Sequence, residues 1–357
     1  MDTRAVAHTE SLNILVFGAG AIGTYIGGSL ALQGQRVVFL EQPTALTGLR
    51  TNGLHLDLTI SRKAAFDVRA PSVLFEPSLE LALRHGPFDF AIFALKSFDT
   101  AAALEAMSPF AAELPVLLCL SNGVDNEPAL AAVLGPDKVI AGTVTSSVGR
   151  LAAGNIVLER LRGVGVADKH PLSLFVAETL NAAGLNARLF MSTDEMKWSK
   201  MLTNLPANAS AAILDLTPAE IFAHPGLFAL EIGMLREALR VMKAQSIRVV
   251  DLPGTPVRLL ALGMHLPAFI SHPLLARAIG GGRGAKLPSF SIALRSGRGK
   301  SEVDWLNGAV VRAGQRLGIP TPLNKLLTDT LLALTHGELP LETYARQPEK
   351  FLEKLNK

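Results

Sequence analysis

The sequence has very little cysteine and almost no net charge. The 357 residues include a single cysteine, Cys119, so no internal disulfide can form, as is usual for proteins of a reducing compartment. The net charge is only +3, and because the basic residues are scattered we expect no nucleic-acid partner. No apolar run reaches the length of a membrane span, and residues 1–11 lack a signal-peptide block. We therefore expect a cytoplasmic protein with no membrane partner.

Motifs of two common enzyme classes are also missing. The eight histidines show neither HxxxH nor HExxH spacing, so a metal site has little support. The sequence contains no GxSxG motif, which is typical of one large class of hydrolases. The chain is thus predicted to be neither a metalloenzyme nor a serine hydrolase.

A glycine-rich motif follows the first apolar run, LNILVFGAGAIG. Residues 14–17 have the composition of a buried strand, and a helix is predicted over 21–33. In a dinucleotide-binding fold the first glycine of GxGxxG allows a tight turn, the second allows the pyrophosphate to approach, and the third allows close helix packing. The helix N-terminus then attracts the pyrophosphate. The predicted cofactor-binding residues here are Gly18, Ala19, Gly20, Ala21, Ile22 and Gly23.

An acidic residue ends the second predicted strand, 36–40. Glu41 lies 18 residues after Gly23, where a carboxylate usually binds the adenosine ribose hydroxyls and disfavours a 2′-phosphate. The alternative is that Glu41 is only a solvated strand end.

Strand and helix patterns alternate through the first half of the chain. After the second strand, the predicted strands are 88–95, 116–120, 138–142, 155–159 and 163–167, and the predicted helices are 100–107, 126–134 and 171–183. Such alternation indicates a parallel sheet flanked by helices. Lys96 and Asn122 lie in loops after two of these strands, at the edge of the sheet that usually faces the ligand.

From residue 192 onward the sequence is almost wholly helical. The predicted helices are 192–214, 226–245, 258–279, 300–317 and 322–336. We therefore predict an α/β Rossmann-like domain over 12–190 and an all-α domain over 191–340. Residues 1–11 are predicted to be a disordered extension, and 341–357 a tail that ends as a solvated helix. The glycine-rich segment 280–286 is either a mobile loop with a function or a plain connector.

Three polar residues interrupt an apolar helical segment. Lys200, Asn204 and Asn208 are spaced four apart and form one stripe if the helix is continuous. Burying them without partners would be costly, so they bind either a ligand or an interdomain hydrogen-bond network. Pro206 is expected to bend the helix between them.

The sequence resembles the ketopantoate reductases (2-dehydropantoate 2-reductases) from residue 13 to about residue 337. The resemblance rests on FGAGAIGTYIGGSLALQG, ALKS, LSNGV, AGTVTSSV followed by GNIVL, KWSKMLTNLPAN, and SEVDWLNGAVVRAGQRLGIPTP. It implies a Rossmann domain followed by a helical domain similar to the C-terminal domain of 6-phosphogluconate dehydrogenases. It also implies reduction of a 2-oxo acid by NADP or NAD in a cleft between the two domains.

The resemblance also implies roles for individual residues. Lys200 matches the general acid that protonates the carbonyl oxygen, and Glu302 matches the second acid of the catalytic site. Asn204 and Asn208 match residues that bind substrate oxygens, and Ser289 matches the serine that binds the substrate carboxylate. Lys96 and Asn122 match residues that hold the cofactor, with Asn122 also near the substrate. Without the resemblance, Glu302 would pass for a helix N-terminal carboxylate after Ser301.

This chain departs from the family pattern at both ends of the site. At the cofactor end, Gln42 replaces the usual arginine that binds the 2′-phosphate, which favours NAD, although Arg50 is near enough in sequence to reach a phosphate. At the substrate end, Ala293 replaces the usual aspartate.

Two further departures lie near the same end. One extra residue lies between Arg298 and Glu302, and Asn208 is followed by Ala209 rather than proline, with Pro206 instead.

We therefore expect a nicotinamide-dependent reductase that converts 2-dehydropantoate to pantoate. The alternatives are a reductase of another 2-oxo acid, an opine-type dehydrogenase, and a nicotinamide-binding sensor without catalysis. The expected partner is the small-molecule 2-oxo acid, and the apolar C-terminal helices are compatible with a homodimer.

Overall fold

The structure, a computed structural model, describes residues 11–266 and 287–356. The predicted extension 1–11 apart from residue 11, the end of the predicted helix 258–279 and the segment 280–286 lie outside the described residues. The chain forms two compact units: one holds residues up to Ser121 together with Asn126–Thr193, and the other holds Asn122–Asp125 together with residues from Asp194 onward. Within the described ranges no helix is long and apolar enough to cross a membrane, and no group of metal-ligating side chains is found.

The first unit is an α/β fold with two sheets. Its strands are β1 (Asn13–Phe17), β2 (Arg36–Leu40), β3 (Leu54–Asp57), β4 (Ala65–Val68), β5 (Val73–Glu76), β6 (Phe90–Phe93), β7 (Leu117–Cys119), β8 (Val139–Val144), β9 (Ser147–Ala152), β10 (Asn155–Arg160), β11 (Val164–Ala167) and β12 (Ala187–Phe190). Its helices are α1 (Ala21–Leu32), α2 (Pro43–Asn52), α3 (Thr59–Arg62), α4 (Leu79–Leu83), α5 (Thr100–Met107), α6 (Asn126–Leu134) and α7 (Ser173–Ala182).

The large sheet has the order β12-β11-β8-β7-β6-β1-β2-β5. The six strands from β8 to β5 are parallel, and β11 and β12 run the opposite way. Ile14 and Val16 point into one apolar core and Leu15 and Phe17 into the other, so β1 is buried on both faces. In doubly wound folds, ligands bind at the carboxyl ends of such central parallel strands, which for β1 is the glycine-rich loop after Phe17.

The second sheet, ordered β4-β3-β10-β9, includes three strands that the sequence patterns do not predict. These strands are short and only partly buried. In β3, Leu54 and Leu56 are buried whereas His55 between them is exposed. The side chain of Leu56 packs against α1 at Gly28, where a Cβ atom would lie 2.7 Å from Leu56 Cδ2. Two antiparallel pairs of neighbouring strands, β3 with β4 and β9 with β10, are joined into one sheet by the pairing of β3 with the distant β10.

The second unit is helical in its described part. Its helices are α8 (Thr193–Asn204, whose first residue belongs to the first unit), α9 (Ala209–Leu214), α10 (Pro218–Ala223), α11 (Pro225–Ala244), α12 (Val257–Gly263), α13 (Ser289–Arg295), α14 (Val303–Leu317), α15 (Pro322–Thr335) and α16 (Pro348–Leu352). The predicted helical end of the chain is mostly exposed, but Phe351 within it is fully buried and packs edge-on against Tyr344.

The prediction of one helix over 192–214 is wrong. The helix ends at Asn204 and a new one starts at Ala209. Pro206 has no N–H to continue the hydrogen-bond ladder, and Ala207 has a positive φ of 48°, which a continuous helix cannot contain. Lys200 and Asn204 therefore share a helix, whereas Asn208 is the N-cap of the next one.

Candidate active site

The glycine-rich loop has the geometry that a dinucleotide phosphate needs. Gly18 has a φ of 91°, and a Cβ atom on Gly23 would lie 1.9 Å from the carbonyl oxygen of Gly18. A Cβ atom on Gly20 would meet nothing within 4 Å, so the backbone is approachable there. Helix α1 starts at this loop without a side-chain N-cap, which leaves its first turn suited to an anion.

A cavity of about 560 Å³ opens beside this loop in the first unit. Its walls come from the ends of β1 and β2, the turn before α4, the loop after β6, and α5. Three alanines of α5, Ala102, Ala103 and Ala106, line part of the cavity with small apolar side chains. A pocket of this size with a largely apolar lining suits the adenosine part of a dinucleotide. Sequence patterns missed the α5 residues because alanine carries no chemical signal.

Three acidic residues are among those that line the same cavity, Glu41, Glu80 and Asp99, and the carboxylate of Glu80 accepts a hydrogen bond from Arg84. Glu41 is held in place, since its Oε2 accepts a hydrogen bond from Ala19 N at 2.7 Å and its Oε1 accepts one from Gln42 N at 2.8 Å. Glu41 is therefore an ordered wall of the cavity and not merely a solvated strand end.

The side chain of Arg50, the residue considered as a partner for a 2′-phosphate, is hydrogen-bonded to residues that do not line the cavity. Its Nε and Nη2 donate to the carbonyl oxygen of Phe75 at 3.1 and 2.8 Å, and its Nη2 donates to Glu76 Oε2 at 3.3 Å. Neither Arg50 nor Glu76 is among the cavity-lining residues of the described structure. A basic partner for a 2′-phosphate is thus not provided by Arg50 in this conformation.

The helix break in the second unit is stabilised by a buried carboxylate that sequence reasoning missed. Glu231 of α11 is 1% exposed and accepts hydrogen bonds from Ala207 N, at 2.8 Å, and from Ser210 Oγ. The first bond satisfies the backbone at the residue with positive φ, and the second holds the first turn of α9. Glu231 therefore fixes the position of Asn208, which lies between these two contacts.

Replacing Glu231 by alanine is expected to lower the free energy of unfolding by about 2–3 kcal/mol, because a buried N–H and a buried hydroxyl lose a charged acceptor. Chemical denaturation followed by circular dichroism measures this. The matched control is Glu338→Ala on the same unit, a residue 69% exposed and only loosely paired with His336. Equal unfolding midpoints for the two variants would contradict the assigned role.

A chain of amide hydrogen bonds joins four of the predicted site residues. Asn204 Nδ2 donates to Asn122 Oδ1 at 3.0 Å, and Asn208 Nδ2 donates to the carbonyl oxygen of Asn204 at 3.1 Å. Asn208 Nδ2 also donates to Ser289 Oγ at 3.3 Å, and Asn208 Oδ1 accepts from Phe290 N at 3.1 Å. Asn122, Asn204, Asn208 and Ser289 thus lie together in the second unit.

The two predicted catalytic residues occupy defined places in the same unit. Lys200 is half-buried on α8, one turn before Asn204. Glu302 is 5% exposed and is the N-cap residue of α14. Ser301 Oγ accepts a hydrogen bond from Val303 N at 3.2 Å, so the serine helps to cap this helix. Lys96 belongs to the first unit, where it precedes a short 3₁₀ turn after β6.

Comparison with known proteins agrees with this arrangement. Residues 14–168 match the family model described as ketopantoate reductase PanE/ApbA, and residues 192–335 match the model of its C-terminal domain. The chain is 27% identical over 331 residues to a 2-dehydropantoate 2-reductase of Halobacterium salinarum, with 89% of this chain and 97% of the relative covered.

Solved structures show the same fold. A PanE/ApbA family ketopantoate reductase from Ralstonia eutropha superimposes with a TM-score of 0.76 at 25% identity, covering 92% of this chain and 99% of that one. D-mandelate dehydrogenase, solved with NADH and anilino(oxo)acetate, superimposes with a TM-score of 0.72 at 19% identity, covering 91% and 99%. The second likeness concerns the fold alone.

The α/β unit with its glycine-rich loop, followed by the helical unit, defines an oxidoreductase of the nicotinamide-dependent class. More particularly, the chain belongs to the ketopantoate reductase family.

Proposed function

We propose that this enzyme reduces the ketone of 2-dehydropantoate to the alcohol of pantoate, with NADH as the preferred reductant. The observation that carries the proposal is the hydrogen-bonded group of Asn122, Asn204, Asn208 and Ser289 within the second unit. Lys200 lies one turn before Asn204 on the same helix. The names of the relatives support the substrate.

The proposed reaction needs two groups. The glycine-rich loop would hold the nicotinamide cofactor, which when bound would supply the hydride that adds to C2 of the oxo acid. The ammonium group of Lys200 stabilises the negative charge that develops on the carbonyl oxygen and then donates a proton to it, so that the ketone becomes a secondary alcohol. Asn204 is positioned by Asn122 to donate a hydrogen bond to a substrate oxygen near Lys200.

The remaining residues are proposed to orient the substrate. Ser289 Oγ donates to the substrate carboxylate, and the buried carboxylate of Glu302 accepts from the substrate hydroxyl. Asn208 uses both ends of its amide on Asn204, Ser289 and Phe290. Its proposed part is therefore to hold Ser289 in place, with a weaker direct contribution to substrate binding than the resemblance implies.

The preference for NADH is supported by charge. Glu41, fixed against the glycine-rich loop, is one of the residues that line the cavity, and a 2′-phosphate would add about two negative charges beside it.

The proposed function is tested by following oxidation of NADH by the purified enzyme with ketopantoate, 2-oxoisovalerate and phenylglyoxylate. We expect ketopantoate to have the highest kcat/KM, at least about tenfold above 2-oxoisovalerate, because the latter lacks the hydroxyl assigned to Glu302. Glu302→Gln is expected to lower the ratio of kcat/KM for ketopantoate to kcat/KM for 2-oxoisovalerate. A general loss of activity would lower both values and leave their ratio unchanged.

Other outcomes identify the alternatives. Turnover that requires an added amino acid would indicate an opine-type dehydrogenase. A higher kcat/KM for phenylglyoxylate than for ketopantoate would indicate that the substrates are aromatic 2-oxo acids. Binding of NADH without turnover of any 2-oxo acid would support a sensor and overturn the proposal.

A further inference from the structure

Arg312 of α14 joins two segments that each carry a proposed site residue. Its Nη2 donates to Asp125 Oδ2 at 2.7 Å and to the carbonyl oxygen of Asp304 at 2.9 Å, and its Nη1 donates to Asp304 Oδ1 at 2.7 Å. Asp125 lies three residues after Asn122, and Asp304 lies two residues after Glu302. One guanidinium therefore ties the loop of Asn122 to the start of the helix of Glu302.

Gly308 of α14 leaves space for the ion pair between Asp304 and Arg312. Asp304, Gly308 and Arg312 are spaced four apart on one face of α14. A Cβ atom on Gly308 would lie 2.5 Å from Asp304 Oδ1 and 3.2 Å from Arg312 Nη1. Glycine disfavours a helix interior, yet only glycine lets the two side chains meet across this turn. The same spacing is visible in the sequence, although nothing in the sequence shows that Asp125 joins it.

A backbone contact brings the same two segments together independently of the ion pair. Gly123 has a φ of 86°, and a Cβ atom there would lie 2.7 Å from the carbonyl oxygen of Trp305. The loop backbone thus packs directly on the first turn of α14, and a side chain at Gly123 would push it away.

The ion pairs of Arg312 contribute more to the positions of the side chains than to the stability of the fold. The side chains of Arg312, Asp125 and Asp304 are 37%, 39% and 41% exposed, so water screens their attraction. Partial burial lowers the pKa of the Arg312 guanidinium, but its bonds with Asp125 and Asp304 outweigh this and raise the pKa overall. The planar fork reaches both partners at once, which a lysine ammonium cannot do in the same geometry.

We propose that Arg312 is a positioning residue for the reduction. By binding both Asp125 and Asp304, it keeps Asn122 in contact with Asn204 and at a fixed position relative to Glu302. The proposal rests on the proposed function for its catalytic consequence. Its structural part, that Arg312 immobilises residues 122–125, stands on the contacts alone.

The test uses four variants of the full chain. Arg312→Gln removes the fork, Arg312→Lys keeps only the charge, Gly308→Ala crowds the ion pair, and Arg316→Gln is the matched control on the exposed face of the same helix. We expect kcat/KM for ketopantoate to fall about tenfold to a hundredfold in Arg312→Gln, less in the Lys and Gly308→Ala variants, and not in the control.

Epistasis separates positioning from a general structural effect. If Arg312 acts through Asn122, Arg312→Gln should lower kcat/KM only about twofold or less in an Asn122→Ala background. Independent, multiplying losses would overturn the proposal.

Hydrogen exchange measured by mass spectrometry provides a readout that does not depend on turnover. Peptides covering residues 121–126 should exchange faster in Arg312→Gln and Gly308→Ala than in the wild type and the control, while peptides from α15 should not change. Unchanged exchange in the loop overturns the proposal, as does faster exchange with normal kcat/KM. Failure of the wild type to reduce any 2-oxo acid removes the proposed function and the catalytic consequence, and the exchange data then decide the structural part separately.

Discussion

Replacing Lys200 by methionine is expected to lower kcat for ketopantoate reduction by about a thousandfold. The substitution keeps a long side chain on α8 but removes both the positive charge beside the developing alkoxide and the proton that completes the reduction. Lys200 is half-buried on the helix that also bears Asn204, and a water molecule in its place would supply neither the positive charge nor its fixed position.

Steady-state kinetics with saturating NADH, together with a separate titration of NADH binding, measures this effect. NADH affinity should change little, because the cavity and the glycine-rich loop lie in the first unit. Lys325→Met is the control, since Lys325 is exposed and its ammonium group pairs with Asp329 on the same helix. A kcat within about threefold of the wild type would exclude Lys200 as the general acid.

The wild-type enzyme is expected to use NADH about a hundredfold better than NADPH, as judged by kcat/KM. A phosphate dianion near the fixed carboxylate of Glu41 meets a like-charge repulsion of about 3 kcal/mol in a partly buried site, which corresponds to roughly that factor. The double variant Glu41→Ala, Gln42→Arg should reduce the preference to about tenfold or less, because it removes the repulsion and adds a partner for the phosphate.

Arg50→Gln is the matched control for the cofactor experiment. Arg50 is bonded to Phe75 and Glu76, so its loss should leave the ratio between the two cofactors unchanged. If the wild type prefers NADPH and Arg50→Gln abolishes that preference, then Arg50 leaves these partners to bind the phosphate and the assignment of Glu41 is wrong.

The elements that were predicted well are those whose signal is local. The run of apolar residues in β1, the three glycines and the carboxylate after β2 lie within one segment. The structure confirms the strand, the tight turn at Gly18 and the position of Glu41 after β2, whereas their binding of a cofactor stays a prediction. In the second unit, α11, α14 and α15 lie close to their predicted bounds. Helices α10 and α13 were not predicted, and the helix predicted over 258–279 ends at Gly263 within the described residues, as the one predicted over 192–214 breaks near Pro206. The proline marked that break, but its form, with a positive φ at Ala207 and a new helix capped by Asn208, depends on the buried Glu231 of α11.

Chain composition and local pattern thus determined the class of fold, the glycine-rich loop, the acidic end of β2 and the identity of the polar residues on α8. The packed structure decided which of these residues meet. In the structure Asn122 contacts Asn204, and Asn208 contacts Ser289. Arg50 is bonded to Phe75 outside the cavity, and Asp125 pairs with Arg312, 187 residues away in the sequence. Local signals reflect backbone preferences and periodic burial, which act over a few residues. Contacts between distant side chains depend on how whole helices and loops pack, and a single sequence carries no local mark of that geometry.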